Sequence, residues 1–312
     1  MNKAIAALVL STLAIVPASG PSAQTPTKNP PLDRSILHVQ VILDKLGFSP
    51  GILDGREGES LKNALRGFQT SRGLPVTGKI DPTTLRALYQ YRGARPTKTI
   101  ELTREMLAGP YVNPFPKEYA DQAKLPSLAY RSPLEKLAEM FHTTPKILVE
   151  LNSPETMLRP GTKVVFPNAL PTSREYAADL KPEWRATLAD LNVDARQPKA
   201  KRIVVDKSEG VLKVYDDNDK LVAQFTATMG SEHDPLPLGS WKIQGIAQNT
   251  TFHYNPDLFW DADSTDKKAL LPAGPNGPVG VVWIDLSKPH YGIHGTPSPE
   301  TIGRAEATAA SD

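Results

Sequence analysis

Apolar residues recur at helical spacing twice near the start of the chain. Val39, Ile42, Leu43 and Leu46 make one stripe, and Leu61, Ala64, Leu65 and Phe68 repeat the i, i+3, i+4, i+7 spacing. Gly47 and Gly73 each follow a stripe, where a helix stop is expected. Asp81-Pro82 predicts a third helix, with Asp as N-cap and Pro at the first helical position. Further on, Leu134, Leu137, Ala138 and Phe141 predict a short helix. Thr144-Pro145 caps another, which carries Ile147, Leu148 and Leu151 and ends at Asn152. Leu158 to Pro167 reads as a turn feeding a short strand, and Leu128 to Arg131 is the expected strand at the other end of this unit. One more helix is expected around Trp184 to Leu191.

From Lys201 the pattern changes to strands. Arg202–Asp206 and Val211–Tyr215 are separated by Lys207–Gly210, and Leu221–Thr228 follows the turn Asp216–Asp219, so a meander is expected. Val279 to Leu286 is rich in β-branched and aromatic residues and bounded by Pro278 and Pro289, which predicts a buried strand. His294 then stands where a sheet edge gives way to a loop dense in Gly, Pro and Thr, a common place for chemistry on a rigid scaffold.

Composition sets the limits. A length of 312 residues has room for two or three domains. Charge is near balance, 36 basic against 34 acidic, so nothing argues for a nucleic-acid partner. Thirty prolines, about twice the usual share, point to linkers between compact units, expected at 92–131 and 169–200. Residues 1–23 carry Lys3, an apolar run from Ala4 to Val16 and then small residues, the pattern of a cleaved secretory signal. The run is short against the roughly 20 residues of a membrane span, so export to the periplasm with no membrane attachment after cleavage is expected. The absence of cysteine leaves the exported domains to rely on their cores and rules out a lipoprotein.

Three segments resemble known families. Gly51 to Gly55, Phe68-Gln69, Gly73 to Gly78 and Ile80-Asp81 resemble the peptidoglycan-binding domain 1 family, a three-helix unit, which places that domain at 32–91. Residues 132–168, with Leu151-Asn152 and Pro160-Gly161, resemble a LysM domain, the βααβ module that binds glycans containing N-acetylglucosamine. A plain helical hairpin that spaces its neighbours is the bland alternative there, and His142 within it is expected to be a surface or half-buried residue without chemistry. From about residue 201, Pro237-Leu-Gly239 with Trp241, Phe259-Trp260, Gly274 to Gly280 and above all Tyr291-Gly-Ile-His-Gly-Thr296 resemble the L,D-transpeptidases with a YkuD-type catalytic domain. The expected fold class is therefore multidomain α+β: a three-helix domain, a βααβ module and a mostly-β catalytic domain at 201–312.

In that family an H-G-T-like element is followed, some way on, by S-H-G-C. The resemblance implies His294 as the base of a cysteine nucleophile and Tyr291, Gly295 and Thr296 as substrate-binding residues. The implied chemistry is acyl transfer from a peptidoglycan tetrapeptide stem through a Cys thioester, because an imidazole beside a thiol favours the reactive thiolate. It implies stem peptides and glycan strands as partners and no cofactor. Oligomeric state is not legible.

The chain departs from the pattern at its decisive point. Residues 307–310 are Ala-Thr-Ala-Ala, the nucleophile being expected near Ala310, and there is no cysteine anywhere. Codons chosen for Ser-His-Gly-Cys-Ile-Arg-Leu-Thr, written AGC CAC GGC TGC ATC CGA CTG ACC, give Ala-Thr-Ala-Ala-Ser-Asp-stop once the first base is deleted. The expectation is a catalytic domain cut short by a frameshift, real or from sequencing; downstream bases that spell no such motif in any frame would end that idea. A domain lacking its last strands should leave an unpaired apolar edge. The polypeptide is expected to be an inactive member of the family, the alternative being a protein that only binds peptidoglycan.

Two patterns touch on metal binding. Asp54 to Glu59 resembles a calcium loop only superficially, since Arg56 stands where an acidic ligand belongs. His290 and His294 have the i, i+4 spacing of a helical zinc pair, but Pro289 and the preceding strand argue against a helix. No metal site is expected.

Overall fold

The computed structural model describes residues 30–230, 235–258, 262 and 267–303. The expected signal at 1–23, Phe259-Trp260 and the tail with Ala310 lie outside the described residues. Among the described residues no helix is long and apolar enough to cross a membrane.

The first layer is helical: α1 (Arg34–Lys45), α2 (Glu59–Ser71) and α3 (Pro82–Leu88). Asp33 caps α1 by accepting from the Ser35 and Ile36 amides, and Asp81 caps α3 by accepting from Thr84 N. The two stripes meet in one core, where Phe48 and Phe68 pack edge to face with centroids 6.1 Å apart. Two buried glutamines tie the loops to the helices. Gln40 Oε1 accepts from the Asp54 and Gly55 amides while its Nε2 donates to Asp54 Oδ1. Gln69 Nε2 donates to Thr77 and Thr84 hydroxyls, and its Oε1 accepts from Gly78 N. Each is fully paired, which is how a buried amide avoids its desolvation cost of roughly 1–3 kcal/mol. The Asp54 carboxylate is thus used in closing a turn.

The second unit runs β1 (Thr97–Glu101), α4 (Tyr119–Gln122), α5 (Pro133–Met140), α6 (Pro145–Leu151) and β2 (Lys163–Pro167). β1 pairs with β2 antiparallel, from Thr97 opposite Pro167 to Glu101 opposite Lys163. Ser132 and Thr144 cap α5 and α6, each followed by a proline at the first position. Asn152 holds α6 to β2, since its Nδ2 donates to Leu148 O and Val165 O and its Oδ1 accepts from Val165 N.

The strand expected at Leu128–Arg131 is not there; Thr97–Glu101 takes its place. Leu128 is instead drawn into another core. Its amide donates to Ala273 O, its carbonyl accepts from Asn276 N, and its side chain is buried with Phe252, Tyr254, Leu271, Val279 and Trp283. Phe115, Tyr119, Ala123 and Leu125 pack against the same cluster. The stretch expected as a partly ordered linker at 92–131 therefore holds β1 and α4 and closes the bottom of the C-terminal core. Gly274 permits the approach: a Cβ there would lie 2.3 Å from Leu128 O.

After α7 (Pro182–Asp190) the chain turns to strands. β3 (Arg202–Asp206), β4 (Val211–Tyr215) and β5 (Leu221–Thr226) form the expected antiparallel meander. It lies against the helical layer. Leu221 joins the core of α1 and α2, Gln224 Nε2 donates to Asn63 O at 2.7 Å, and Asn63 Nδ2 donates to Glu209 O at 3.0 Å. Next come β6 (Ile243–Gln248), β7 (Phe252–Tyr254), β8 (Ala269–Leu271), β9 (Val282–Leu286) and β10 (Gly292–His294). The order β10-β9-β6 makes one antiparallel sheet, and β7 pairs with β8. The strand expected over Val279–Leu286 starts later, at Val282; within β9 only Trp283 is buried, while Val279 is buried in the segment before it. The described residues from Leu32 onward form one compact unit.

Candidate functional site

His294 is the last residue of β10, directly opposite Trp283 of β9. The imidazole lies on the indole, with centroids 5.4 Å apart and planes 12° from parallel. Gly292 makes this possible, since a Cβ there would come within 2.4 Å of the Trp283 ring. Trp283 is buried from below while His294 is exposed above it. His294 Nδ1 lies 2.7 Å from Gly295 O, an acceptor, so Nδ1 carries a hydrogen.

The three residues expected to bind substrate surround this point unequally. Gly295 N donates to Val282 O and extends the sheet by one bond. Gly280, at φ +61, lies so close to Gly295 and Thr296 that a Cβ on it would stand 2.9 Å from Thr296 N. Thr296 Oγ1 accepts from Ser298 N and turns the chain into the 3-10 turn Pro299–Thr301. Tyr291 sits across the hairpin, under Lys288, whose Nζ is 4.8 Å from its ring centroid. Gly295 and Thr296 thus lie beside the histidine at the strand end, and Tyr291 belongs to the turn before it. His290, at φ +67, belongs to that turn too, so it and His294 share no helix. Among the described residues no three His, Cys, Asp or Glu converge to hold a metal.

Past the 3-10 turn, Gly303 N donates to Thr228 Oγ1 at 2.8 Å. A cleft of about 110 Å³ separates this turn from the loop before α2 and the first turn of that helix, lined by Gln40, Asp54, Arg56, Glu57, Glu59 and Glu300 among others. On the other side, burial first and the Glu135 carboxylate second push Glu139 of α5 up to about 8, with Glu300 acting in the same direction. Burial and the Glu139 charge also push the Tyr130 phenol up. Sequence reasoning gave no role to Trp283, Glu139 or Tyr130. For Trp283 a signal existed: on a two-residue repeat across a hairpin, the residue opposite a histidine is its packing partner.

Comparison with known proteins agrees with this layout. Residues 34–88 match the family "Putative peptidoglycan binding domain", and residues 200–312 match the L,D-transpeptidase catalytic domain of the YkuD family. The chain is similar to a protein of Bacillus licheniformis named "Putative L,D-transpeptidase YkuD", 31% identical over 104 residues that make up 33% of this chain and 47% of that one. A protein of the same name in Bacillus subtilis strain 168 is 61% identical over 31 residues, 10% of this chain and 19% of the relative. The chain thus spans about half the length of the first relative and about a fifth of the second. The chain therefore carries two matching segments, a peptidoglycan-binding domain at 34–88 and an L,D-transpeptidase catalytic domain at 200–312.

Proposed function

We propose that the chain is an exported, periplasmic peptidoglycan-binding protein built on an L,D-transpeptidase scaffold, and that its 312 residues do not themselves catalyse transfer. The observation that carries this is one polypeptide matching both a peptidoglycan-binding domain and a catalytic domain while containing no cysteine. In the family reaction a thiolate attacks a stem-peptide carbonyl, the leaving amine takes the proton held by the histidine, and an acceptor amine then displaces the thiol from the thioester. His294 keeps the position for the proton step. Without a thiol no acyl-enzyme forms.

Binding is then the activity left. Residues 32–91 supply one site for the wall. The β-α-α-β order of β1, α5, α6 and β2, with the Asn152 clamp between α6 and β2, supports a second, LysM-like site for N-acetylglucosamine-containing strands. No cofactor enters this reading.

Purified sacculi provide the test. The chain is expected to sediment with them, and to release no product from a tetrapeptide donor with an amine acceptor. Transfer above the level of a His294→Gln variant would overturn the inactive assignment. Failure to sediment would overturn the binding one.

A further inference from the structure

His142 follows α5 and adopts φ +52. Its two ring nitrogens face two acceptors from different parts of the chain. Nδ1 lies 2.9 Å from Asp44 Oδ2 at the end of α1, and Nε2 lies 2.9 Å from Leu191 O just past α7. A neutral imidazole has one N–H and would turn a lone pair toward one of these oxygens. Only the imidazolium satisfies both.

The ring stands at a joint of three segments. Leu53 N donates to His142 O at 2.8 Å, and Thr143 Oγ1 donates back to Leu53 O at 2.7 Å, tying the loop after α1 to the start of α6. Asn192 Nδ2 donates to Met140 O at 2.7 Å, tying the end of α7 to α5. Lys45 Nζ reaches Leu170 O. The charged groups around the ring are few. Asp44 and Lys45 come from α1, and Asp194, beyond α7, acts on Lys45; Asp190 of α7 is engaged with Lys136 of α5 at 3.5 Å.

We propose that His142 is a charged latch: as the imidazolium it fastens the 34–88 domain and the segment after α7 to the β-α-α-β module, and loss of its proton opens the joint. Burial works against the charge, but Asp44, through its charge and its hydrogen bond, and the Leu191 carbonyl outweigh it and push the group up to about 9. The folded value lies above the ordinary one of about 6.5. The stabilisation is therefore complete below that ordinary value and is lost as pH rises through about 9. The consequence for binding rests on the wall-binding reading above. A closed latch holds two modules in fixed relation, so both can engage one glycan at high effective concentration.

The test needs no glycan, so its failure is separate from failure of the binding assignment. In the uniformly ¹⁵N-labelled full chain near neutral pH, both His142 ring nitrogens should be protonated, with the assignment made by His142→Gln. The Leu53 amide should exchange roughly tenfold faster or more in Asp44→Asn than in wild type, as expected for local opening at one joint. In Asp44→Asn the His142 titration should fall toward the ordinary histidine range. If either variant fails to fold, the wild-type spectrum still decides: a singly protonated ring near neutral pH overturns the proposal. So does unchanged Leu53 exchange in a folded Asp44→Asn protein.

Discussion

The imidazole of His294 rests on the indole of Trp283, ring over ring across adjacent strands, and Trp283 is in turn packed in the cluster that holds Leu128. The histidine itself is exposed, with this aromatic face beneath it. Replacing Trp283 by Leu removes the platform and leaves a cavity, at a cost of about 3 kcal/mol by analogy with large-to-small core changes. Two measurements check it. The denaturation midpoint should fall, and the His294 ring-proton resonances should lose their upfield ring-current shift. Trp283→Phe should restore much of both, because a smaller aromatic ring still offers a stacking face.

Leu128 gives a prediction about which part of the chain unfolds. It lies far upstream of the strands it packs on, between β1 and α5, yet its contacts are with Phe252, Leu271 and Trp283. Leu128→Ala should cost roughly 2–5 kcal/mol. The loss should appear as faster amide exchange in β7, β8 and β9, with β1 and β2 unaffected. Gly274→Ala should do the same by another route, because the added Cβ meets the Leu128 carbonyl.

These two sites mark the limit of what the residues disclose before folding. The helices were legible because their stripes are local and their ends carry punctuation, as at Asp81-Pro82 and Thr144-Pro145. β1 was not, since Thr97–Glu101 offers one apolar residue, Ile100, and no clear alternation. Leu128 read as a strand because its neighbours are apolar, but its partners are set by tertiary structure, to which local pattern is blind. Within the site, His294 was found through the motif around it. Its platform and the glycines that admit it became visible only once β9 and β10 were paired.

Glu139 predicts a pH dependence of unusual sign for a carboxyl group. Burial first, and then Glu135, raise it to about 8, well above its unfolded value. Between that ordinary carboxylate value and about 8 the folded chain binds more protons than the unfolded one, so this group's contribution falls as pH rises through the window. Glu139→Gln removes the titration while keeping an acceptor for Tyr130. The variant should melt above wild type at alkaline pH and should flatten the decline in melting temperature between pH 5 and 8. Equal slopes for the two proteins would mean that Glu139 titrates normally.

The last prediction concerns β6. It pairs with β9 on one side, and among the described strands it has no partner on the other. Ile243 is 48% exposed and Ile246 60%, with Leu238 at 85% and Trp241 at 37% close by in sequence. An edge with unsatisfied backbone groups and apolar side chains is a template for pairing with another chain. The purified protein should therefore self-associate as concentration rises. Ile246→Lys places a charge on that edge and should shift sedimentation toward monomer. Because the residue is exposed, the stability change should stay within about 0.5 kcal/mol. If wild type and variant sediment alike as monomers, β6 is protected in solution by something other than charge.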